Sequence, residues 1–540
     1  MARSARPRPQ TTTVSEERGR GGPHAVLVAT GILLSRLTGL VRLRVFAHYF
    51  GLQSEAADAF NAAFRIPNFL QNLFGEGALS ASFIPVYAGL LSRGQPVDAD
   101  RVAGAVGSLL ALVVSAIVAL GVVLAPVLTS VVAPGFSGDK RELTVALVRV
   151  LFPGAGLLVL SAWCLGILNS HGRFLLSYAA PVVWNAAMIG TLLVWGPGAS
   201  LPDLAVWLAW GSVVGSALQF GAQIPAVLAV APGLRPAVRL FSAEVLVVVR
   251  TFVPVFFSRG VVQTSAYIDA MIASLLPTGA VTGLANAQLL YTLPVSLFGM
   301  SVAAAELPAM SGEVSPAHGD FGPLRARLDR GLRQIAYFVV PSAVVFLALG
   351  DVVAAALLQT GRFVYGDAVY VWLILGGAAL GLLPATLGRL YSSAYYALRD
   401  TRTPFRYALV HVGLAAVLGY LFAIPLVTWL GFEAKVGAAG LTVSASLAAW
   451  VELLLLRRSL NARIGPTGLP IGLLATLWSA ATLAAAAAWG LKLVLPPLHP
   501  VFLATYVLAA FGVVFLGATL AMRVPEATAL VARVAKRRSA

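Results

Sequence analysis

The sequence predicts an all-α polytopic membrane protein with about 14 transmembrane helices, built as two parallel six-helix repeats plus two C-terminal helices around a central cavity. Composition, the spacing of apolar runs and an internal repeat lead to this fold class. Of the 540 residues, 59% are hydrophobic and 11% are charged, whereas soluble domains carry about 25% charged residues. This composition excludes a water-soluble globule. The single cysteine, Cys164, excludes a disulfide-stapled scaffold and a Cys-rich zinc module.

Apolar runs long enough to cross a bilayer fill most of the chain. A transmembrane helix needs about 20 predominantly apolar residues. The predicted spans are 25–45, 57–90, 103–133, 143–168, 176–196, 202–230, 244–275, 280–309, 332–350, 368–398, 405–428, 436–456, 469–495 and 500–522. Six spans therefore precede residue 233, and eight follow it.

The polar segments at the two ends complete the predicted organisation. Residues 1–23 are rich in Arg, Pro, Gly and Thr and lack the apolar core and cleavage site of a signal peptide. We divide the chain into a disordered basic tail (1–23), an N-terminal six-helix lobe (24–232), a C-terminal six-helix lobe (233–460), two additional helices (461–523) and a basic tail (524–540).

Lys and Arg residues in alternate loops predict the orientation, because cytoplasmic loops carry the excess. One set of loops contains fifteen, namely Arg93, Arg101, Arg173, Arg235, Arg239, Arg325, Arg327, Arg330, Arg333, Arg399, Arg402, Arg406, Arg457, Arg458 and Arg463. The other set contains five, namely Lys140, Arg141, Arg362, Lys435 and Lys492. Both basic termini fall on the majority side, so we expect both to be cytoplasmic. The net charge of +16 is spread between the spans, which favours membrane lipids over nucleic acid as partners.

Landmarks that recur at a nearly constant offset indicate two related halves. Pro308 follows Pro85 by 223 residues (308 minus 85), and Arg399 follows Arg173 by 226 (399 minus 173). Each half contains six spans and begins on the cytoplasmic side. The repeat is therefore parallel, with its axis along the membrane normal.

The same repeat relates two arginines inside apolar spans. Ser35-Arg36 in span 1 recurs as Ser258-Arg259 in span 7, again 223 residues later (258 minus 35). An intramembrane arginine costs about 3 kcal/mol or more unless it faces water or an anion. Two guanidinium groups facing each other across the interface between the lobes would form a bidentate anion clamp. The alternative is a structural salt bridge from each arginine to one of the internal carboxylates Asp58, Glu76, Asp269 and Glu306.

Span 2 carries a polar stripe. Asp58, Asn61, Arg65, Asn68, Gln71, Asn72 and Glu76 recur at spacings of mostly three or four and share one helix face. Such a face must point into a cavity or a partner rather than into lipid. Pro67, Gly75 and Gly77 in the same span either allow hinge motion or serve only as packing devices.

These residues belong to motifs that resemble the MurJ (MviN) family of lipid II flippases. The motifs are Ser35 through Arg42, Ala57 through Phe60, Arg65 through Asn68, Phe74 through Ser80, Pro134 through Phe136, Gly361 through Phe363 and Arg399 through Pro404. The resemblance covers roughly residues 25–520.

The resemblance implies a transporter of the multidrug/oligosaccharidyl-lipid/polysaccharide exporter superfamily, not an enzyme. It would turn lipid II, an undecaprenyl-diphosphate-linked peptidoglycan precursor, from the cytoplasmic to the periplasmic leaflet of the bacterial inner membrane by alternating access. We expect the two helices in 461–523 to form a groove for the lipid tail. The expected substrate-binding residues are Ser35, Arg36, Arg42, Arg65, Asn68 and Arg259, and the expected gating residues are Asp58 and Glu76.

Two positions depart from the family pattern. Gln71 and Leu289, the latter beside Gln288, stand where the family has cavity arginines. We expect Arg259 to restore one positive charge on the C-terminal half.

A further departure concerns coupling. Asp269 matches a span 7 carboxylate that relatives use for sodium, yet residues 405–430 in span 11 contain no Asp or Asn. A hard cation needs several oxygen ligands. We therefore expect transport to be driven by membrane potential or by a proton carried on Asp269. No metal or other cofactor is expected, because the six histidines are scattered and no phosphate-binding loop occurs.

Three other functions remain open from the sequence. The chain could flip another polyprenyl-diphosphate-linked oligosaccharide or export drugs, as other members of the superfamily do. A membrane-embedded polyprenyl-lipid transferase would need a catalytic carboxylate or histidine with partners, and none can be assembled. A scaffold for cell-wall synthesis would transport nothing. We expect a monomer that can associate with the cell-wall synthesis machinery.

Overall fold

The computed structural model describes residues 21–237, 242–313 and 321–538, and these consist of helices joined by short connections. Residues 1–20 of the predicted tail (1–23) lie outside the described residues, and residues 21–23 belong to the first helix. The first lobe contains α1 (Gly21–Phe50), α2 (Glu55–Phe74), α3 (Glu76–Ser92), α4 (Pro96–Val123), α5 (Ala125–Val132), α6 (Gly138–Ser170), α7 (Phe174–Trp195) and α8 (Leu201–Val230).

The second lobe and the C-terminal helices follow. The second lobe contains α9 (Ala243–Ser274), α10 (Ala280–Pro294), a π-helical turn (Val295–Met300), α11 (Ser301–Glu313), α12 (Gly322–Leu358), α13 (Tyr365–Ala379), α14 (Leu382–Ala397), α15 (Arg402–Ala423), α16 (Pro425–Trp429), a 3₁₀ turn (Ala434–Val436) and α17 (Gly437–Ile464). The remaining helices are α18 (Ile471–Val494), α19 (Pro500–Ala521) and α20 (Pro525–Arg538).

The predicted all-helical, polytopic fold class is confirmed. Within the described residues, 11 helical segments are long and apolar enough to cross a membrane, or 12 if the pair α13 and α14, bent by 43°, is one span. The predicted number is 14. Predicted spans 1 and 7 correspond to α1 and α9, which are 30 and 32 residues long but are not among those segments.

Helix packing repeats from the first lobe to the second. In the first lobe α1 packs on α7, α7 on α8, and α6 on both α2 and α8. In the second lobe α9 packs on α15, α15 on α17, and the α13–α14 pair on both α10 and α17. The corresponding partners agree with the parallel repeat that the sequence predicts. Outside the repeat, α18 and α19 pack on each other and on α12.

The symmetry-related central helices are both interrupted. Gly75 separates α2 from α3 with an extended backbone (φ −73°, ψ −158°), whereas Pro67 lies inside the continuous α2. In the second lobe, the π-helical turn follows Pro294 and separates α10 from α11. Such interruptions lie where the regular i to i−4 hydrogen-bond ladder is broken.

The C-terminal segment contains a further helix. Helix α20 occupies most of residues 524–540, the segment predicted as a basic tail. Ala, Leu, Arg and Lys have high helix propensity, which favours this helix. Arg333 of α12 donates to Glu526 at 2.9 Å and ties the start of α20 to the second lobe.

A polar cap fixes the connection between α14 and α15. Asp400 accepts hydrogen bonds from the Thr403 amide (3.0 Å), the Thr403 hydroxyl (2.7 Å) and Arg463 (2.6 Å). Burial by itself raises the pKa of Asp400, but these hydrogen bonds and the Arg463 charge outweigh burial and lower the pKa to about 2. Asp400 therefore stays ionised through the neutral range.

Candidate functional site

Arg36 reaches from the first lobe to the second. It lies in α1 with an exposed side chain and donates to the Ser296 hydroxyl of the π-helical turn at 2.7 Å. Ser35 precedes it and is half-buried. The predicted substrate-binding arginine of span 1 is thus at the interface between the lobes, with a neutral hydroxyl as hydrogen-bond partner.

Arg65 makes a second bridge between the lobes. In α2, its guanidinium donates to the Gln288 side-chain oxygen of α10 at 2.9 Å, and its backbone carbonyl accepts from the Tyr267 hydroxyl of α9 at 2.8 Å. Asp269, also in α9, acts on Arg65 electrostatically. Asn68, half-buried, follows on the same face of α2. Gln288, which the sequence marks only as the neighbour of Leu289, is therefore part of this site.

Arg42 contacts aromatic rings of the first lobe. Its guanidinium carbon lies 4.7 Å from the Trp184 ring centroid and 5.9 Å from that of Phe64. Its Nη1 lies 3.3 Å from the Met188 sulfur. These are cation–π contacts, which hold a half-buried guanidinium against α2 and α7 without a carboxylate.

Asp58 joins the lobes at one end of the bundle. Its carboxylate is 1% exposed and accepts from Lys140 of α6 at 2.9 Å. It also accepts from the backbone amides of Gly279 and Thr282 at 2.9 Å each and from the Thr282 hydroxyl at 2.7 Å, all at the start of α10. The N-terminus of a helix favours a negative charge. The sequence singled out Asp58 but gave no signal for Lys140 as its partner.

Several contacts at the same end join the lobes in the same way. Together with Asp58 we call them the lobe seal. They pair His48 with Thr360 (2.9 Å), the Arg362 amide with the His48 carbonyl (2.9 Å), Lys435 with Gln53 (3.2 Å), Asn61 with Thr282 (3.2 Å) and Arg44 with the Ala356 carbonyl (2.6 Å). Gly361 has φ +53° and packs directly on His48, so a side chain there would be both strained and crowded.

The described residues include only part of the predicted anion clamp between Arg36 and Arg259 and of the alternative salt bridges to internal carboxylates. The side chains of Glu76 and Arg259 lie outside the described residues, although Glu76 begins α3 and Arg259 lies within α9. Two of the carboxylates considered as partners for the arginines are engaged elsewhere: Asp58 with Lys140, and Glu306 with Arg327 at 2.7 Å. The clamp between Arg36 and Arg259 therefore stays a prediction.

Asp269, the expected coupling residue, lies near another pair of ionisable groups. Its half-buried side chain interacts electrostatically with Arg65 and His411. Nδ1 of His411, in α15, lies 2.9 Å from Oε2 of Glu452 in α17. Neither His411 nor Glu452 was predicted as a site residue, although an ionisable residue inside an apolar span was the available signal. Among the described residues, no three His, Cys, Asp or Glu side chains are grouped to hold a metal.

Comparison with known proteins identifies the family. The profile of the family described as lipid II flippase MurJ matches residues 46–509. The probable lipid II flippase MurJ of Vibrio cholerae is 30% identical over 505 residues, covering 89% of this chain and 92% of that protein. The lipid II flippase MurJ of Burkholderia cenocepacia is 33% identical over 449 residues, covering 81% and 84%.

Solved structures agree on the fold. A lipid II flippase MurJ in an inward closed conformation superposes with a TM-score of 0.75 at 22% identity, covering 92% of this chain and 99% of that one. An inward-facing multidrug resistance transporter of the MATE family superposes with a TM-score of 0.65 at 16% identity, covering 81% and 98%. The chain therefore belongs to the lipid II flippase MurJ family.

Proposed function

We propose that this protein carries lipid II from the cytoplasmic to the periplasmic leaflet of the bacterial inner membrane by alternating access of its two lobes. The observation that carries the proposal is that Arg36 of α1 and Arg65 of α2 each bridge the lobes through a hydrogen bond to a neutral side chain. Lipid II combines a diphosphate and a sugar-pentapeptide with a long apolar tail. Its polar head needs a polar path through about 30 Å of hydrocarbon.

The neutral partners of the two arginines suit a diphosphate. The Ser296 hydroxyl and the Gln288 amide oxygen are neutral acceptors, whereas the oxygens of a phosphate carry negative charge and can form bidentate pairs with a guanidinium. A diphosphate entering between the lobes would therefore replace both partners at a net gain. We propose that Ser35, Arg42, Asn68 and Arg259 complete the binding surface, with Arg259 supplying the positive charge that Leu289 lacks.

We propose that the lobe seal is the outer gate. The excess of Lys and Arg in the opposite loops supports a periplasmic position for the seal and a cytoplasmic position for both termini. With the seal formed, the site between the lobes would be reached from the cytoplasm. Diphosphate binding draws the arginines of both lobes together, which gives the substrate a differential affinity for the closing state. Glu76 would act with Asp58 in gating, at the break between α2 and α3.

The lipid tail requires an apolar path outside the cavity. We propose that α18 and α19, which pack on α12, provide a groove in which the undecaprenyl chain stays in lipid while the head crosses. Membrane potential would drive transport, because moving an anion outward is favourable when the cytoplasm is negative, and a proton on Asp269 would contribute to coupling.

Reconstitution tests the substrate and the role of the arginines. Vesicles containing the purified protein are loaded with fluorescent lipid II, and the fraction accessible to a membrane-impermeant quencher is followed with time. We expect Arg36→Ala and Arg259→Ala each to abolish accessibility changes, while Arg101→Ala, at an exposed ion pair with Asp98, has no effect. Loss of transport in Arg36→Ala together with full transport in Arg259→Ala would contradict the proposal that Arg259 supplies the positive charge missing at Leu289.

The same vesicles separate the other functions. Faster movement of a different polyprenyl-diphosphate oligosaccharide would favour that substrate, and a covalently altered lipid would favour a transferase. A protein that moves no lipid at all, under any potential, would favour a scaffold. Sodium-dependent transport at fixed potential would contradict coupling through potential or a proton.

A further inference from the structure

A partly open cavity of about 310 Å³ lies between α12 and the pair of packed helices α18 and α19. Its volume falls in the range of about 300–1,000 Å³ that is typical of ligand sites. Gln359 lines the cavity and directly precedes Thr360 of the lobe seal, so the cavity is at the sealed end of the bundle. Its wall has a polar part, Asp351, Tyr365 and Lys492, and an apolar part that includes Val352, Leu498 and Leu503.

A kink in α12 positions the polar part of this wall. Leu349 has a non-helical backbone (φ −129°, ψ 18°) inside α12, and such a kink interrupts the i to i−4 hydrogen-bond ladder. Carbonyl groups next to the kink accept from two indoles instead. Trp372 Nε1 donates to the Phe346 carbonyl at 3.0 Å. Trp489 Nε1 of α18 donates to the Ala348 carbonyl at 2.6 Å, which holds α18 against α12 beside the cavity.

Asp351 is a buried carboxylate with one oxygen engaged. Its side chain is 2% exposed. Oδ2 accepts from Nζ of Lys492 at 2.5 Å and from the Tyr365 hydroxyl at 2.7 Å. Within the described part of the chain, Oδ1 has no hydrogen-bond partner. Buried polar atoms are nearly always hydrogen-bonded, so this oxygen indicates a donor that enters from the cavity.

Lys492 adds a positive charge to the same wall. Its side chain is 17% exposed, and Nζ lies 4.9 Å from the centroid of the Trp489 ring. An ammonium group has three N–H donors, of which the bond to Asp351 takes one. The wall therefore presents an anionic acceptor and a cationic donor side by side. A ligand that carries both charges, a zwitterion, complements both groups.

The surroundings of the cavity favour a lipid over a free solute. Leu493 and Val494 at the end of α18 and Phe502 in α19 are 74%, 83% and 61% exposed. Both helices are long and apolar enough to span a membrane, so these side chains face lipid near the ends of the spans. Trp489 and Lys492 are of types that lie at the level of the headgroups, where the ring or stem is apolar and the tip is polar.

We propose that this cavity binds the headgroup of phosphatidylethanolamine, a zwitterionic phospholipid with a primary amine. The lipid ammonium donates to Asp351, and the lipid phosphate accepts from Lys492. A choline headgroup has no N–H donor and leaves Oδ1 without a partner. An anionic headgroup such as phosphatidylglycerol brings a like charge to the carboxylate and no ammonium. The proposal goes beyond lipid II transport and does not depend on it.

Competition between headgroups tests the site. The full-length protein in detergent is mixed with equal amounts of phosphatidylethanolamine, phosphatidylcholine and phosphatidylglycerol of similar, mass-resolved acyl chains, and bound lipids are counted by native mass spectrometry. We expect the first phosphatidylethanolamine to bind about tenfold tighter than either other lipid, the effect of one charged hydrogen bond. This preference should disappear in Asp351→Asn and in Lys492→Met. Asp98→Asn, at an exposed ion pair, is the matched control and keeps the preference.

The double variant Asp351→Asn/Lys492→Met guards against misfolding, because it leaves neither charge buried alone. In nanodiscs, phosphatidylethanolamine should raise the melting temperature of the wild type over that in phosphatidylcholine, and should not do so for the double variant. Equal binding of all three lipids to the wild type would overturn the proposal and leave the pair as a structural ion bridge. A preference for phosphatidylglycerol, or an unchanged preference for phosphatidylethanolamine in the double variant, would also contradict it.

Discussion

The lobe seal depends most on Asp58, and Asp58→Asn is the sharpest test of it. The carboxylate is 1% exposed and its partner Lys140 is 11% exposed, so both charges are largely removed from water. Breaking a buried pair by removing one partner costs about 3–5 kcal/mol. Asparagine retains an acceptor oxygen for the start of α10, so we expect about 2–3 kcal/mol. This shifts the equilibrium towards separated lobe ends by about 30- to 150-fold.

Distance measurements between spin labels report this shift. Labels at Pro197 in the first lobe and Phe432 in the second lie in exposed connections at the sealed end, and Cys164→Ser removes the native thiol. We expect the wild type to show one short distance and Asp58→Asn to show a longer one in addition. Asp98→Asn, which removes an exposed ion pair, is the matched control and leaves the distances unchanged.

A double-mutant cycle separates the ion pair from simple misfolding. Combining Asp58→Asn with Lys140→Met removes both charges, and we expect at least about 1 kcal/mol of coupling between the two changes. Unaltered distances in Asp58→Asn, or strictly additive effects in the cycle, would refute the role assigned to this pair.

Three further expectations follow from particular contacts. Gly361→Ala, at φ +53°, should lower the melting temperature and weaken the lobe seal by about 1–2 kcal/mol. The control Gly366→Ala, at a position with no neighbour within 4 Å, should not change either property. Equal melting temperatures of the two variants would contradict the close contact between Gly361 and His48. Arg42→Lys keeps the positive charge but loses the planar stacking on Trp184. The affinity for lipid II, measured in nanodiscs, should therefore fall about three- to tenfold. An unchanged affinity would show that the stacking does not contribute to binding. Because the pKa of Asp400 falls to about 2, its contribution to stability is complete above the ordinary pKa of about 3.9 and is lost as the pH falls through 2. The melting temperature of the wild type should therefore exceed that of Asp400→Asn at pH 5 and approach it near pH 2; a constant gap would contradict this.

The helices and the repeat follow from features that are local in the chain. Apolar runs bounded by Pro, Gly and Arg define a helix wherever they are about 20 residues long, and the offset between Arg36 and Arg259 requires no knowledge of packing. The interruption after Pro294 is less predictable, because a π-helical turn depends on how neighbouring helices satisfy its backbone.

The partners of the polar side chains depend on packing between distant segments. Asp58 and Lys140 are 82 residues apart in the chain, and no motif links them. The lone histidine in α15 and lone glutamate in α17 become a pair only because these two helices pack together. The sequence therefore identifies Arg36, Arg65 and Asp58 as candidates, while the structure supplies Ser296, Gln288 and Lys140 as the groups they contact.

The central claim is that arginines inside the membrane serve a lipid with a diphosphate head. The most direct test uses bacteria depleted of their own flippase and supplied with this protein, in which lipid II exposed to an external, membrane-impermeant reagent is quantified. We expect the wild type to restore exposure and the double variant Arg36→Ala/Arg65→Ala, present in the membrane at the same level, to leave lipid II protected. Full exposure of lipid II with the double variant would contradict the account.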